Sequence, residues 1–214
     1  MNKKAIIFDL DGTLVNTLDD IADSVNDSLA HYGYPTHATD EIRRMIGKGA
    51  KNLITRALPS ENRDDKTVTE VLEYYRKRYS DNIVVKTHAY DGICGVLEEL
   101  HSKGVRMAVL SNKDDGQVKE IAGKLLPDVF EIVNGFSPEF PHKPAPDSVL
   151  DIMSKMAISA DETALVGDSV VDVLTARNAN IMSVGVIWGF GGEEEFDDTN
   201  PDLTVKSASE LLKL

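Results

Sequence analysis

The chain has 214 residues, 42% of them hydrophobic, enough to bury a full core and leave room for an elaborate insertion. Its formal charge of −13 argues against nucleic acid or anionic membrane as a partner, so any phosphate site must be made locally positive by a metal, a lysine or backbone amides. The single cysteine, Cys94, precludes an internal disulfide, and no apolar run approaches the roughly 18 residues of a membrane span, so a soluble protein of the reducing cytoplasm is expected.

Ala5–Leu10 is β-prone and is predicted as the first strand. From Asn16 to Val85 the pattern turns helical. Thr17 is placed to cap a helix whose Leu18, Ile21, Val25, Leu29 and Tyr32 share a face, and helices are predicted over Thr39–Ile46, Ala50–Leu58 and Thr67–Ser80. About 70 residues of helix are too many for one crossover. Residues 16–85 therefore read as a helical cap inserted into a core of residues 1–15 and 86–214, with hinges near Asn16 and Val85.

The core pattern resumes with a helix over Asp91–Lys103 that closes on Gly104, then a strand at Val105–Leu110 and another at Glu131–Val133. Pro146 can open a helix reaching Met156, a strand follows at Thr163–Val166, and a helix over Val170–Ala179 stops at Asn180, a residue that tolerates the left-handed cap. Ile181–Ile187 and Leu203–Val205 complete the strands, with the acidic run Glu193–Asp198 read as a solvated loop between them. Strands alternating with helices predict an α/β fold built on a parallel sheet.

Asp9 and Asp11 stand two apart at the end of the first strand, where strand geometry would aim both carboxylates to one side and Gly12-Thr13 would turn the chain. A later strand ends in Gly167-Asp168-Ser169, with Asp172 four residues beyond Asp168. An Asp capping a turn explains one such acid, not two sets ending two parallel strands. Acids converging on one crevice repel unless a cation sits among them, and all-oxygen ligation suits Mg²⁺ better than Ca²⁺. Ser111-Asn112-Lys113 reads as a turn after its strand, bringing a hydroxyl and backbone amides to the same sheet edge. Lys143 lies in a loop stiffened by Pro141, Pro144 and Pro146, which suits an ammonium held against phosphate.

In order and spacing, Asp9-Leu10-Asp11-Gly12-Thr13, Ser111, Lys143 and Gly167-Asp168-Ser169 with Asp172 resemble the four motifs of the haloacid dehalogenase-like hydrolases. Ile46-Gly47-Lys48-Gly49-Ala50 and Trp188-Gly189-Phe190-Gly191 resemble the phosphoglycolate phosphatase group within them. The resemblance implies a Rossmann-like parallel sheet with an inserted α-helical cap, the first strand lying between those that carry Ser111 and Asp168.

It also implies a phosphatase acting on a small-molecule phosphate ester, 2-phosphoglycolate foremost. Asp9 is the nucleophile that becomes an aspartyl-phosphate, and Asp11 protonates the leaving oxygen and then activates water. Ser111 and Lys143 hold the transferring phosphoryl group, and Thr13 and Asn112 count among the substrate-binding residues. Mg²⁺ is held by the Asp9 carboxylate, the Asp11 backbone carbonyl and Asp168, with Asp172 orienting the site. In the cap, Gly47, Lys48 and Gly49 precede a helix start, a place that favours a substrate carboxylate.

Alternatives stay open at this level. Pyrophosphatases, sugar-phosphate phosphatases and phosphomutases share these motifs, and a phosphonate hydrolase would use a cap lysine such as Lys48 or Lys51 as a Schiff base. Outside the enzymes, a phospho-accepting receiver domain gathers similar groups, but in about half this length and without a helical insertion after its first strand. A dehalogenase has no need of Asp11 as a leaving-group acid.

Overall fold

A computed structural model describes residues 3–214. In chain order the elements are β1 (Ala5–Phe8), β2 (Val15–Asn16), α1 (Leu18–His31), α2 (Thr39–Arg43), α3 (Ala50–Ala57), α4 (Asp65–Ser80), β3 (His88–Ala89), α5 (Ile93–Ser102) and β4 (Arg106–Asp114). There follow α6 (Asp115–Leu125), β5 (Ile132–Phe136), α7 (Asp147–Lys155), β6 (Thr163–Gly167), α8 (Val170–Asn178), β7 (Met182–Val186) and β8 (Leu203–Val205). The chain divides into two compact units, residues 1–16 with 89–214, and residues 17–88.

The first unit is the α/β core. Its six strands run in the order β5-β4-β1-β6-β7-β8, every neighbouring pair parallel. β1 reads as an unbroken apolar run, Ala5-Ile6-Ile7-Phe8, because both of its faces are covered, and none of the four is more than 1% exposed. On one face Ala5 and Ile7 pack with Leu110 and Leu165 against Ile152 of α7 and Ala176 of α8. Each fully buried Ile or Phe contributes about 1.5–3 kcal/mol, so β1 anchors whatever follows it. The chain passes from β1 towards β4 on one side and later to β6 on the other, which opens a crevice at the strands' carboxyl ends.

The second unit is built on four helices, α1 to α4, with a 3₁₀ turn at Ser60–Asn62. Ile21, Val25 and Leu29 of α1 are buried as their spacing requires, and Arg78 of α4 ion-pairs with Asp27 of α1 at 2.7 Å. Thr17 stands at the N-cap of α1 without a side-chain bond to the first amides, so Asp19 and Asp20 in the first turn carry the electrostatic role instead. α4 starts two residues earlier than its pattern suggests because Asp64 caps it, accepting from the amides of Lys66 and Thr67. The buried Asp20 carboxylate accepts from the amides of Val85, Lys86 and Thr87 and from the Thr87 hydroxyl, tying α1 to the end of the unit. Burial opposes its ionisation, but these four donors prevail and hold its pKa below the ordinary Asp value.

Three local expectations need correction. β1 stops at Phe8, so Asp9 and Asp11 lie beyond the strand in a tight turn where Leu14 N donates to Leu10 O at 3.0 Å. Ser111, Asn112 and Lys113 are not a turn. They lie within β4 as an irregular stretch between Leu110, paired with Asn134 of β5, and Asp114, paired with Phe136 after a register shift. The acidic run is solvated only in part: Glu193, Glu194, Asp197 and Asp198 are exposed, but Glu193–Phe196 forms a 3₁₀ turn that buries Phe196, and Glu195 accepts from Val170 N at the start of α8. Asn180 does adopt the left-handed conformation, φ 54°, after α8.

Candidate active site

Asp9 is the first residue beyond β1, and its amide still donates to Val166 O of β6 at 2.9 Å, so the neighbouring strand fixes its backbone. Its Oδ1 lies 2.9 Å from Lys143 Nζ, an ion-pair distance, yet this buried oxygen accepts no hydrogen bond of good geometry. The Lys143 ammonium also reaches Asp172 Oδ1 at 2.6 Å and donates to Leu110 O at 3.1 Å, with the residue only 6% exposed. Asn112 positions that loop: Lys143 N donates to its Oδ1 at 2.8 Å, and its Nδ2 donates to Lys143 O at 3.1 Å. Stacking of the His142 ring on Phe136, 3.8 Å apart and 8° from parallel, adds a second brace.

Asp168 is the first residue beyond β6 and accepts from Phe190 N at 2.8 Å and from Thr13 Oγ at 3.2 Å. Asp172 uses its second oxygen to accept from Ser169 N and Oγ, a capping box that starts α8. Oxygens of Asp9, Asp168 and Asp172 lie within 4.8 Å of one another. The approach is possible only around glycines. A Cβ on Gly12, whose φ is +82°, would stand 2.2 Å from Asp168 Oδ2, and one on Gly189 would stand 2.2 Å from Asp168 Cβ.

Asp11 is drawn to a separate cation. Lys113 Nζ donates to its Oδ1 at 2.9 Å and its Oδ2 at 3.0 Å, with both side chains largely buried.

The electrostatics follow from this packing. Burial pushes the Asp9 carboxyl up to about 7; Lys143 opposes the rise, and Asp172 and Asp11 add to it. Asp168 is driven well above the usual carboxylate range by burial, then by Asp9 and Asp172. Burial alone would lower the Lys143 pKa, but Asp172 and Asp9 outweigh it and raise the value. The Tyr90 phenol is raised by burial and then by Asp168 and Asp11, which reports the same negative potential. Four carboxylates against two ammonium groups leave a surplus that one divalent cation would offset. Buried, oxygen-only donors fit a hard cation of the Mg²⁺ type.

The crevice thus brings together Asp9, Lys143, Asp168 and Asp172, with Asp11 paired to Lys113 beside them. Thr13 and Asn112, expected at the substrate, have their side chains engaged inside the protein, with Asp168 and with the Lys143 backbone. Gly47, Lys48 and Gly49 belong to the helical unit, where Gly49 (φ +81°) opens α3 and Lys48 is exposed. Two contributors escape the sequence reading. Lys113 was legible in principle, since it stands two residues after Ser111 and a strand puts both on one face. Trp188-Gly189-Phe190 marks a resemblance, but only the fold shows Phe190 N on Asp168 and Trp188 Nε1 donating to Thr13 O at 3.0 Å.

Residues 6–186 match the haloacid dehalogenase-like hydrolase family. The phosphoglycolate phosphatase of Vibrio parahaemolyticus is 33% identical over 219 residues, 99% of this chain and 95% of that protein. The phosphoglycolate phosphatase of Aquifex aeolicus is 32% identical over 212 residues, 99% and 96% of the two chains. A crystal structure from Lactobacillus delbrueckii subsp. bulgaricus, 27% identical, superposes with a TM-score of 0.94 over 100% of this chain and 98% of its own. With its parallel sheet and buried aspartate cluster, this protein belongs to the haloacid dehalogenase-like hydrolases, in their phosphoglycolate phosphatase-like group.

Proposed function

We propose that this protein is a Mg²⁺-dependent cytoplasmic phosphatase that hydrolyses a small phosphomonoester, 2-phosphoglycolate, through an aspartyl-phosphate on Asp9. The observation that carries the reading is the Asp9 carboxylate, held at a sheet edge with one oxygen 2.9 Å from a buried ammonium and short of a hydrogen bond. Full-length relatives named phosphoglycolate phosphatases support the substrate. Among the described residues no helix is long and apolar enough to cross a membrane, which agrees with a soluble enzyme.

Asp9 attacks phosphorus in line, the ester P–O bond breaks, and its electron pair leaves on an oxygen that takes a proton from Asp11. In the second half-reaction Asp11 takes a proton from water as the water oxygen attacks phosphorus, and the Asp9–phosphorus bond breaks to restore the carboxylate. Lys143 offsets charge on Asp9, so that one anion can approach another, and Ser111 and the ammonium hold the phosphoryl oxygens. Asp9, the Asp11 carbonyl and Asp168 are assigned to the cation, with Asp172 orienting Lys143 beside it. Bound there, Mg²⁺ supplies positive charge for the developing phosphoryl charge.

In the helical unit, Gly47-Lys48-Gly49 at the start of α3 is assigned to the substrate carboxylate. The test is a hydrolysis screen over 2-phosphoglycolate, pyrophosphate, sugar phosphates, a phosphonate and p-nitrophenyl phosphate, with and without Mg²⁺. Preference for 2-phosphoglycolate that collapses towards p-nitrophenyl phosphate in Lys48→Ala supports the assignment. Activity confined to pyrophosphate or phosphonate overturns it.

A further inference from the structure

We propose that Lys113 is a positioning residue that fixes Asp11 where it can take a proton from the attacking water. The inference rests on the reading of Asp11 as the acid–base group and names the group that places it. Both Asp11 oxygens are engaged, at 2.9 and 3.0 Å, by one ammonium whose side chain is 7% exposed against 12% for Asp11. A pair this buried adds little net stability, since desolvation offsets the attraction, but a two-point contact fixes where the carboxylate stands and how it is turned. Asp9 is held through its amide by β6, whereas Asp11 lies in the turn beyond β1 that Gly12 N closes on Val15 O, and its carboxylate is turned towards Lys113.

The lysine is well placed for the task because β4 outruns its expected end. Lys113 sits inside the strand, two residues beyond Ser111, and its amide donates to Ser111 Oγ at 3.2 Å. One rigid element therefore carries a proposed phosphoryl contact and the anchor of the acid–base group. The two aspartates that flank Leu10 have separate ammonium partners, Lys143 for Asp9 and Lys113 for Asp11. Lys113 neither gives nor takes a proton in the reaction.

The test uses p-nitrophenyl phosphate, whose p-nitrophenolate leaves without a proton, so the demand on Asp11 falls on hydrolysis of the aspartyl-phosphate. Lys113→Met should lower kcat about 10²-fold, the scale of a misplaced catalytic group, with KM falling alongside it and kcat/KM held within about 2-fold, because phosphorylation of Asp9 is untouched. It should also show a burst of one nitrophenolate per enzyme as phosphorylated Asp9 accumulates. In an Asp11→Asn background the same substitution should cost nothing further, and Lys113→Arg should restore part of the rate. An independent loss in the Asp11→Asn background, a rise in KM at unchanged kcat, or a loss without a burst each overturns the proposal. If Asp11→Asn is itself as active as wild type, the acid–base reading fails instead, and the two failures are thereby told apart.

Discussion

Asp172 carries two loads, and removing it tests how the site is held. One oxygen lies 2.6 Å from Lys143 Nζ, and the other accepts from Ser169 N and Oγ at the start of α8. Deleting one partner of a buried ion pair costs about 3–5 kcal/mol, and losing a helix cap costs about 1 kcal/mol. Two features soften the loss here. Lys143 keeps Asp9 at 2.9 Å and the Leu110 carbonyl at 3.1 Å, and Asp9 and Asp168 are relieved of a negative neighbour. The net cost of Asp172→Ala is therefore placed at about 3 kcal/mol, the low end of the range. For a chain of this size that lowers Tm by about 6–12 °C. Without its second anchor, Lys143 turns wholly towards Asp9, and kcat should fall about 10²-fold by misplacement. The rise in Tm caused by millimolar Mg²⁺ should survive, because the oxygens of Asp172 are committed to Lys143 and Ser169. Melts of wild type and Asp172→Ala, with and without Mg²⁺, alongside kcat, decide the matter. A change in Tm under about 2 °C refutes the energetic argument, and a lost Mg²⁺ response makes Asp172 a ligand rather than an orienting group.

Asp9→Asn should abolish turnover of p-nitrophenyl phosphate while the far-UV circular dichroism and the cooperative melt persist, since an amide is not a competent nucleophile. Chelation of Mg²⁺ should stop turnover, and restoring it to 100 times its Kd should add about 2.7 kcal/mol, visible as a rise in Tm. Gly189→Ala should lose most activity and about 1–3 kcal/mol of stability, because its Cβ would meet Asp168 Cβ at 2.2 Å and Gly12 O at 2.4 Å. Asp20→Asn should destabilise the helical unit by about 1.5–3 kcal/mol, the worth of a hydrogen bond to a charged group. Because the folded pKa of Asp20 is lowered, its contribution is present above the unfolded value and lost as pH falls through the folded one. The stability gap between wild type and variant should thus close as pH falls below about 4.

What could be read before the fold was known was whatever repeats along the chain. The apolar run Ala5–Phe8, the 3.6-residue face of α1 and the glycines and asparagine that end helices all act within a few residues, so their positions carry over. The motif aspartates were legible because each ends a β-prone run. Roles set by distant partners were not. Asn112 looked like one of several polar groups at a sheet edge, and only pairing across 31 residues shows it holding the Lys143 loop. The end of β4 is hidden for the same reason: Ser111-Asn112-Lys113 has the composition of a turn, and only the renewed pairing of Asp114 with Phe136 of β5 shows that the strand continues past it. Glu195 and Phe196 looked solvated within an acidic run, but one accepts from Val170 N and the other is buried.

Strand order also explains how a chain of charge −13 can present a phosphate site at all. β1 lies between β4 and β6 and delivers Asp9 and Asp11 to the middle of the crevice. Both lysines come from one flank, Lys113 on β4 itself and Lys143 in the loop after β5. Both further acids come from the other, Asp168 and Asp172 around the end of β6. The site is therefore polarised across β1: both ammonium groups arrive from the β4 side, and on the β6 side Asp172 pairs with Lys143 while Asp168 is held by the neutral donors Thr13 Oγ and Phe190 N. A dianionic phosphoryl group is favoured towards the first and a divalent cation towards the second, and both flanks meet at the Asp9 carboxylate. Burial strengthens both preferences, because water cannot screen charges that the sheet and its loops enclose. Charge placed by topology at one edge, rather than charge averaged over the surface, is what lets an acidic protein receive an anionic ester.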